Sequence, residues 1–194
     1  RAEPMVLSLP AVAAPRYYVN QWFDLYTHNF AYTGVRATGR EAGTFLFAGP
    51  RWMGEIPKGI DKVFDVETEF VGTLTRTQLL DPDDVPALQA VQESYRLIPL
   101  SQFAGMPAPT PAPTIDWPVW DSAKAEGLGF IVYLNALLPF MPVQPLEQEM
   151  FARFARIGIG PGRAFDAARL APEMRAAMEE GIAEAATALK EGAL

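Results

Sequence analysis

Alternating prolines in MPAPTPAPTIDWP, residues 106–118, set the strongest limit on what this chain can fold into. Each proline fixes φ and removes an amide donor, so the stretch favours an extended, stiff segment that neither a helix nor a sheet readily incorporates. The patterns on its two sides differ. Before it, residues 5–12, 17–32, 44–48 and 62–66 are rich in β-branched and aromatic side chains and are punctuated by Gly and Pro, which predicts strands. Residues 69–80 suit a strand or a helix. Asp81 followed by Pro82 is a helix-start signal, with Leu88, Val91 and Tyr95 at helical spacing behind it. After the prolines, Leu146, Met150, Phe154 and Ile157 form one apolar stripe, and Met174, Met178, Ile182, Ala185 and Leu189 form another. The expected architecture is α+β: a β-rich sandwich domain at 1–104, a Pro-rich linker at 105–118 and a helical segment at 119–194.

Composition removes several function classes. Among 194 residues there is no Cys and one His, so disulfides, thiolate nucleophiles and Cys/His metal cages are excluded. A formal net charge of -7 opposes a phosphate backbone, and no nucleic-acid partner is expected. The longest apolar run, residues 127–142, is interrupted by Asn135 and Pro139 and falls short of the roughly 20 residues a bilayer requires, so it reads as core rather than a membrane span. No signal peptide is visible at the start, which runs directly into a strand-like stretch as if earlier residues had been removed. The methionines read as packing between helices, not as a cofactor box, and no cofactor is expected. The last stripe lacks a local cover. A homo-oligomer, or a further domain or another subunit, is expected to bury it.

Chemistry concentrates in residues 17–59. If residues 17–28 are extended, Tyr17, Val19, Phe23 and Leu25 share one face with Gln21, and Tyr18, Asn20, Trp22, Asp24, Tyr26 and His28 share the other. The first face is expected in the core. The second, with Asn29 and Trp52, is expected to line a small polar-ligand site or a subunit interface. So long a strand is expected to bend or bulge. The catalytic candidates are His28 as proton-transfer group, Asp24 and Tyr26 beside it, and Arg36 as anion stabiliser. The plainer reading, a hydrogen-bonded surface His, is favoured. No G-x-S-x-G elbow occurs, so a triad is unsupported. His28 with Asp24, Glu41 or Glu55 is a conceivable carboxylate-rich metal set, but no ligand spacing argues for it and no metal is expected. The glycines around Arg36 and Arg40 precede a strand, so that loop reads as a β-turn connection, and GIGPG at 158–162 reads as a helix end.

The runs DLYTHNFAYTGVRATGREAGTFLFAGPRWMGEIPKG, RTQLLDPDD and YRLIPLS resemble the bacterial domain of unknown function 1254 family across roughly residues 1–101. Its R-x-T-G-x-x-A-G element falls on Arg36, Thr38, Gly39, Ala42 and Gly43, and its G-P-x-W-x-G-E-x-P element on Gly49, Pro50, Trp52, Gly54, Glu55 and Pro57. Thr75 stands where the family's Gly-Arg-Thr has Gly. The resemblance implies a jelly-roll-like antiparallel β-sandwich, often in an exported, periplasmic protein, followed by helices and a second domain of unknown function 1214. Neither that domain nor the polar stretch that usually precedes this start is present in the chain. The expected function is an exported sandwich that oligomerises and binds a partner or small polar ligand. The rival is a hydrolase-like enzyme with an Asp24, Tyr26, His28 and Arg36 cleft.

Overall fold

Two aromatic-rich strands and their partners account for most of the first of two units, Arg1–Pro113 and Thr114–Leu194. The computed structural model describes residues 1–192; Ala193 and Leu194, the last two residues of the expected helical segment, lie outside the described residues. The first unit contains β1 (Met5–Leu9), β2 (Tyr18–Asp24), β3 (Asn29–Gly34), β4 (Gly43–Ala48), β5 (Lys62–Asp65), β6 (Val71–Thr77) and β7 (Arg96–Pro99), with α1 (Val85–Glu93) and α2 (Leu100–Ala104). One sheet has the order β5-β4-β1-β7 and the other β3-β2-β6. The chain is α+β, with two sheets facing each other as an open sandwich. β5 runs parallel to β4 while the other pairs are antiparallel.

The four-stranded sheet is buried on both faces. Leu7, Leu9, Phe45 and Phe47 turn toward Tyr18, Trp22 and Ala31 of the second sheet, while Val6 and Leu46, both 0% exposed, pack with Leu100 on the other side. Full burial of such a side chain contributes about 1.5–3 kcal/mol. Glu3 fastens α2 to the sheet: its carboxylate accepts from the Ser101 amide at 2.6 Å and the Ser101 hydroxyl at 2.9 Å. It thereby satisfies an amide at the helix start that has no partner within the helix.

The expected long strand over 17–32 is a hairpin. Asp24 N–H donates to the His28 carbonyl at 3.1 Å and Thr27 N–H to the Asp24 carbonyl at 3.1 Å, with Thr27 at φ 65. The alternation along β2 holds, but the faces are exchanged. Tyr18, Asn20, Trp22 and Asp24 are 1–4% exposed, and Val19, Gln21 and Phe23 form the less buried side. The physical reason is that Tyr18 and Trp22 carry the largest apolar surfaces and face the four-stranded sheet, and the Asn20 amide nitrogen and the Asp24 carboxylate find partners inside. Asn20 Nδ2 donates to Thr33 Oγ1 at 3.1 Å, and Asp24 accepts from the turn. Gly34 answers to the same packing: at φ 131, a Cβ there would lie 2.4 Å from the Tyr18 carbonyl oxygen.

In the second unit, α3 (Ser122–Ala125), α4 (Phe130–Leu137), α5 (Gln148–Phe154) and α6 (Pro172–Lys190) surround Ile131, Leu138 and Ile159. Asn135, a polar interruption in the apolar run, is 1% exposed and clamps the glycine-rich loop. Its Nδ2 donates to the carbonyls of Gly158 and Arg163, both at 2.9 Å, and its Oδ1 accepts from Gly160 N–H at 2.8 Å. The first expected stripe is corrected: Leu146 is 99% exposed and Met150 is 40% exposed, whereas Phe151, Phe154 and Ile157 pack inward. Leu146 lies in a short turn before α5 begins, so it does not share the helix's register.

Arg16 ties the start of β2 to the segment after β6. It is 7% exposed, and its guanidinium donates to the Gln78 carbonyl at 2.7 Å and to both Asp84 oxygens at 2.5 and 2.7 Å. That side-chain hydrogen bond, with the Leu80 amide, holds the Asp84 carboxyl below its usual range. A lowered folded pKa stabilises above the ordinary carboxylate range, near pH 4, and the contribution disappears as pH falls through the folded value. Urea unfolding of Asp84→Asn is therefore expected to show a shallower loss of stability between neutral pH and pH 3 than the parent; identical acid limbs would count against this joint.

Candidate functional site

At one end of the sandwich, β1 begins, β4 ends and β6 begins, and three connecting segments converge there. They enclose an open cavity of about 210 Å³ whose lining includes Glu3, Trp22, Phe47, Trp52, Thr68 and Glu69. The packing of Trp22 against Phe47, with ring centroids 4.1 Å apart, forms its inner wall. Trp52 reaches the cavity from the loop after β4. That loop folds tightly over the indole: a Cβ at Gly54 would lie 2.7 Å from Trp52 Nε1, which explains Gly at this place in the W-x-G element.

Polar groups in the lining differ in how fully they are used. Thr68 Oγ1 accepts from Leu25 N–H at 3.2 Å and donates to the Phe70 carbonyl at 2.7 Å. Glu3 is occupied by Ser101. Glu69, whose side chain is 9% exposed, pairs with Arg51 through Oε1, and its Oε2 lies 3.7 Å from Arg1 Nε. The buried Trp22 Nε1 and Glu69 Oε2 have no hydrogen-bond partner among the described residues. Trp22 and Trp52, both expected as ligand residues, thus line the cavity. Tyr18 instead is core, with its hydroxyl 3.4 Å from the Gly39 carbonyl, and burial raises its pKa. Asn20 is held by Thr33. Asn29 Oδ1 accepts from Gln21 Nε2 at 2.6 Å near the hairpin.

The hairpin turn makes a second cluster. His28 Nδ1 lies 3.5 Å from Asp24 Oδ2, the His28 amide donates to Asp24 Oδ1 at 2.9 Å, and Tyr26 stacks on His28 with centroids 5.9 Å apart. Glu67 supplies a third ligand atom, so that Asp24, His28 and Glu67 place one nitrogen and two oxygens within 4.8 Å of one another. This is a mixed donor set of a kind that divalent ions accept. Asp24 is buried, while His28 and Glu67 are exposed. Neither Glu41 nor Glu55 belongs to the cluster. The sole trace of Glu67 and Glu69 in the sequence is the alternating acid of DVETEF, which nothing local ties to the 17–59 block.

Arg36 does not join Asp24, Tyr26 and His28. Its guanidinium stands over the Tyr17 ring at 5.7 Å. Tyr17 precedes β2 and Asp24 ends it, a separation of roughly 20 Å along an extended strand. The rest of the R-x-T-G element builds a turn: the Gly34 carbonyl accepts from Ala37, Thr38 and Gly39 N–H, and Thr38 Oγ1 accepts from Gly34 N–H at 2.9 Å.

The chain matches, over residues 1–99, the family described as Protein of unknown function (DUF1254). It is similar in fold to the VPA0106 protein from Vibrio parahaemolyticus, seen in a crystal structure, with a TM-score of 0.76 and 22% identity over 97% of this chain. The match covers 46% of that protein, so the present chain spans about half its length. No curated protein matches.

The buried Asp24 carboxylate and the exposed imidazole make unequal contributions to the hairpin. Asp24→Ala is expected to lower the unfolding free energy by about 1–3 kcal/mol, because it strands the His28 amide. His28→Ala should stay within about 0.5 kcal/mol. Urea melts of the two variants at neutral pH would reverse this assignment if His28→Ala proved the more damaging.

Proposed function

Because the chain belongs to the DUF1254 family over its β unit, we propose that this unit is a binding module that takes a small ligand in the cavity beside Trp22 and Trp52. The observation that carries this reading is the cavity itself: about 210 Å³, walled by three aromatic rings and bordered by carboxylate, hydroxyl and guanidinium groups. Ligand sites in general combine an apolar, aromatic lining with a few placed polar groups. The sequence placed the site on one face of a strand. The supporting geometry is instead the end of the sandwich, with Trp22 shared between core and cavity wall.

Self-association belongs to the same reading. In the second unit, a groove of about 710 Å³ runs along α6 and includes Phe130, Met174 and Leu189, which are 49%, 43% and 67% exposed. Contiguous apolar surface of this kind marks contact sites. Export to the periplasm enters the proposal on family resemblance. No helix among the described residues is long and apolar enough to cross a membrane. The hydrolase-like alternative retains Asp24, Tyr26 and His28, supported by the 3.5 Å approach of imidazole to carboxylate, without Arg36.

Fragments that enter the cavity are expected to move the indole N–H signals of Trp22 and Trp52 in nitrogen–proton correlation spectra. Val71→Trp, which enlarges a half-exposed lining residue, should weaken that binding at least about tenfold while leaving the fold intact. A fragment panel that leaves both indoles unmoved would remove the reading. For self-association, native mass spectrometry of the full chain should show oligomers that Met174→Glu with Leu189→Glu converts to monomer; a monomeric parent would end that part.

A further inference from the structure

The geometry points to a neutral, single-ring molecule carrying both a hydrogen-bond acceptor and a hydrogen-bond donor as the occupant of the cavity at the sandwich end, an inference that rests on the ligand-binding reading above. Size comes first. An apolar protein cavity of about 150 Å³ holds benzene, so a cavity of about 210 Å³ has room for one ring with one or two small substituents. The ring faces of Trp22, Phe47 and Trp52 in the lining offer flat apolar contact, which favours an aromatic occupant in offset or edge-on packing.

Charge comes second. The lining holds Arg1 and Arg51 against Glu3 and Glu69. Both arginines pair with Glu69, and Glu3 is committed to Ser101. The ionic groups therefore answer one another and leave no surplus of either sign for a charged ligand. A charged occupant would have to displace one of these pairs, with a desolvation cost that the cavity does not compensate.

Hydrogen-bonding capacity decides the rest. Trp22 is 4% exposed and its buried Nε1–H has no acceptor among the described residues. An indole nitrogen can only donate. Glu69 Oε2 is buried without a hydrogen-bond donor among the described residues, and an ionised carboxylate oxygen can only accept. Thr68 has already spent its hydroxyl in both directions. The ligand that completes this inventory accepts from Trp22 and donates to Glu69. A hydrocarbon ring of the same shape leaves both protein groups unmatched.

The test uses the full chain with three probes of similar shape: p-cresol, which accepts and donates; anisole, which accepts only; and toluene, which does neither. Calorimetry and the Trp22 indole N–H signal are read together. p-Cresol is expected to bind about tenfold or more tighter than toluene, with anisole between them, and to shift the Trp22 indole signal downfield. Trp22→Phe should bring p-cresol close to toluene. If that variant fails to fold, the order of the three probes on the parent protein still decides the matter. Equal affinity for p-cresol and toluene would overturn the polar class of ligand while leaving a ring-binding cavity in place. Silence of the Trp22 and Trp52 signals with all three probes would overturn the cavity reading itself.

Discussion

The contact of Trp22 with Phe47 is the joint on which the β unit depends. The two rings come from different sheets, with centroids 4.1 Å apart, and Phe47 continues to Phe64 at 5.3 Å. This aromatic stack joins the sheets and binds in the parallel strand that ends the four-stranded sheet. Aromatic pairs of this kind stabilise beyond the area they bury, and close packing makes their positions mutually dependent. The cavity exists because the stack stops short of the end of the sandwich, where Glu3, Thr68 and Glu69 replace apolar side chains.

Buried polar groups serve as joints rather than as waste. Asn135 holds three backbone groups of a glycine-rich loop, Glu3 caps a helix nearly a hundred residues away, and Arg16 fastens two connections through Asp84. In each case an inward polar side chain is matched atom by atom, which avoids the penalty of leaving it unpaired. Trp22 Nε1 and Glu69 Oε2 depart from that pattern, and both belong to residues of the cavity lining. Other buried atoms, Asn20 Oδ1 among them, also lack a hydrogen-bond partner among the described residues, but their residues lie outside the cavity lining.

The legibility of this chain in its sequence varied with the range of the interactions involved. The strands at 43–48 and 62–65 and the helix start at Asp81 follow from local composition and capping, since Asp81 accepts from the Asp83 amide at 2.9 Å. The 3.6-residue period located α6. The inward face of β2 was not legible, because the rule that polar side chains face water fails where Thr33 and the hairpin amides supply partners inside. Trp22 and Trp52 were named from the sequence. Glu67 and Glu69 were not, since their relation to the aromatic block depends on β6 pairing with β2.

Sequence by itself determined the α+β class, the alternation along the strands, the turn chemistry around Thr38 and Gly39, and membership of the 1254 family. Those properties rest on residue type at short separations, where sterics and hydrogen-bonding capacity act locally. Tertiary structure alone decided which face of β2 is buried, that Arg36 stands far along the strand from His28, and that a cavity opens beside Trp22. Each of those outcomes is set by which sheet packs against which face and by which distant carboxylates the strand pairing brings close. That choice comes from the competition between burying Trp22 and Tyr18 and pairing Asn20 and Asp24: the folded arrangement buries both rings and gives Asn20 Nδ2 and Asp24 Oδ1 partners, while Asn20 Oδ1 has none among the described residues.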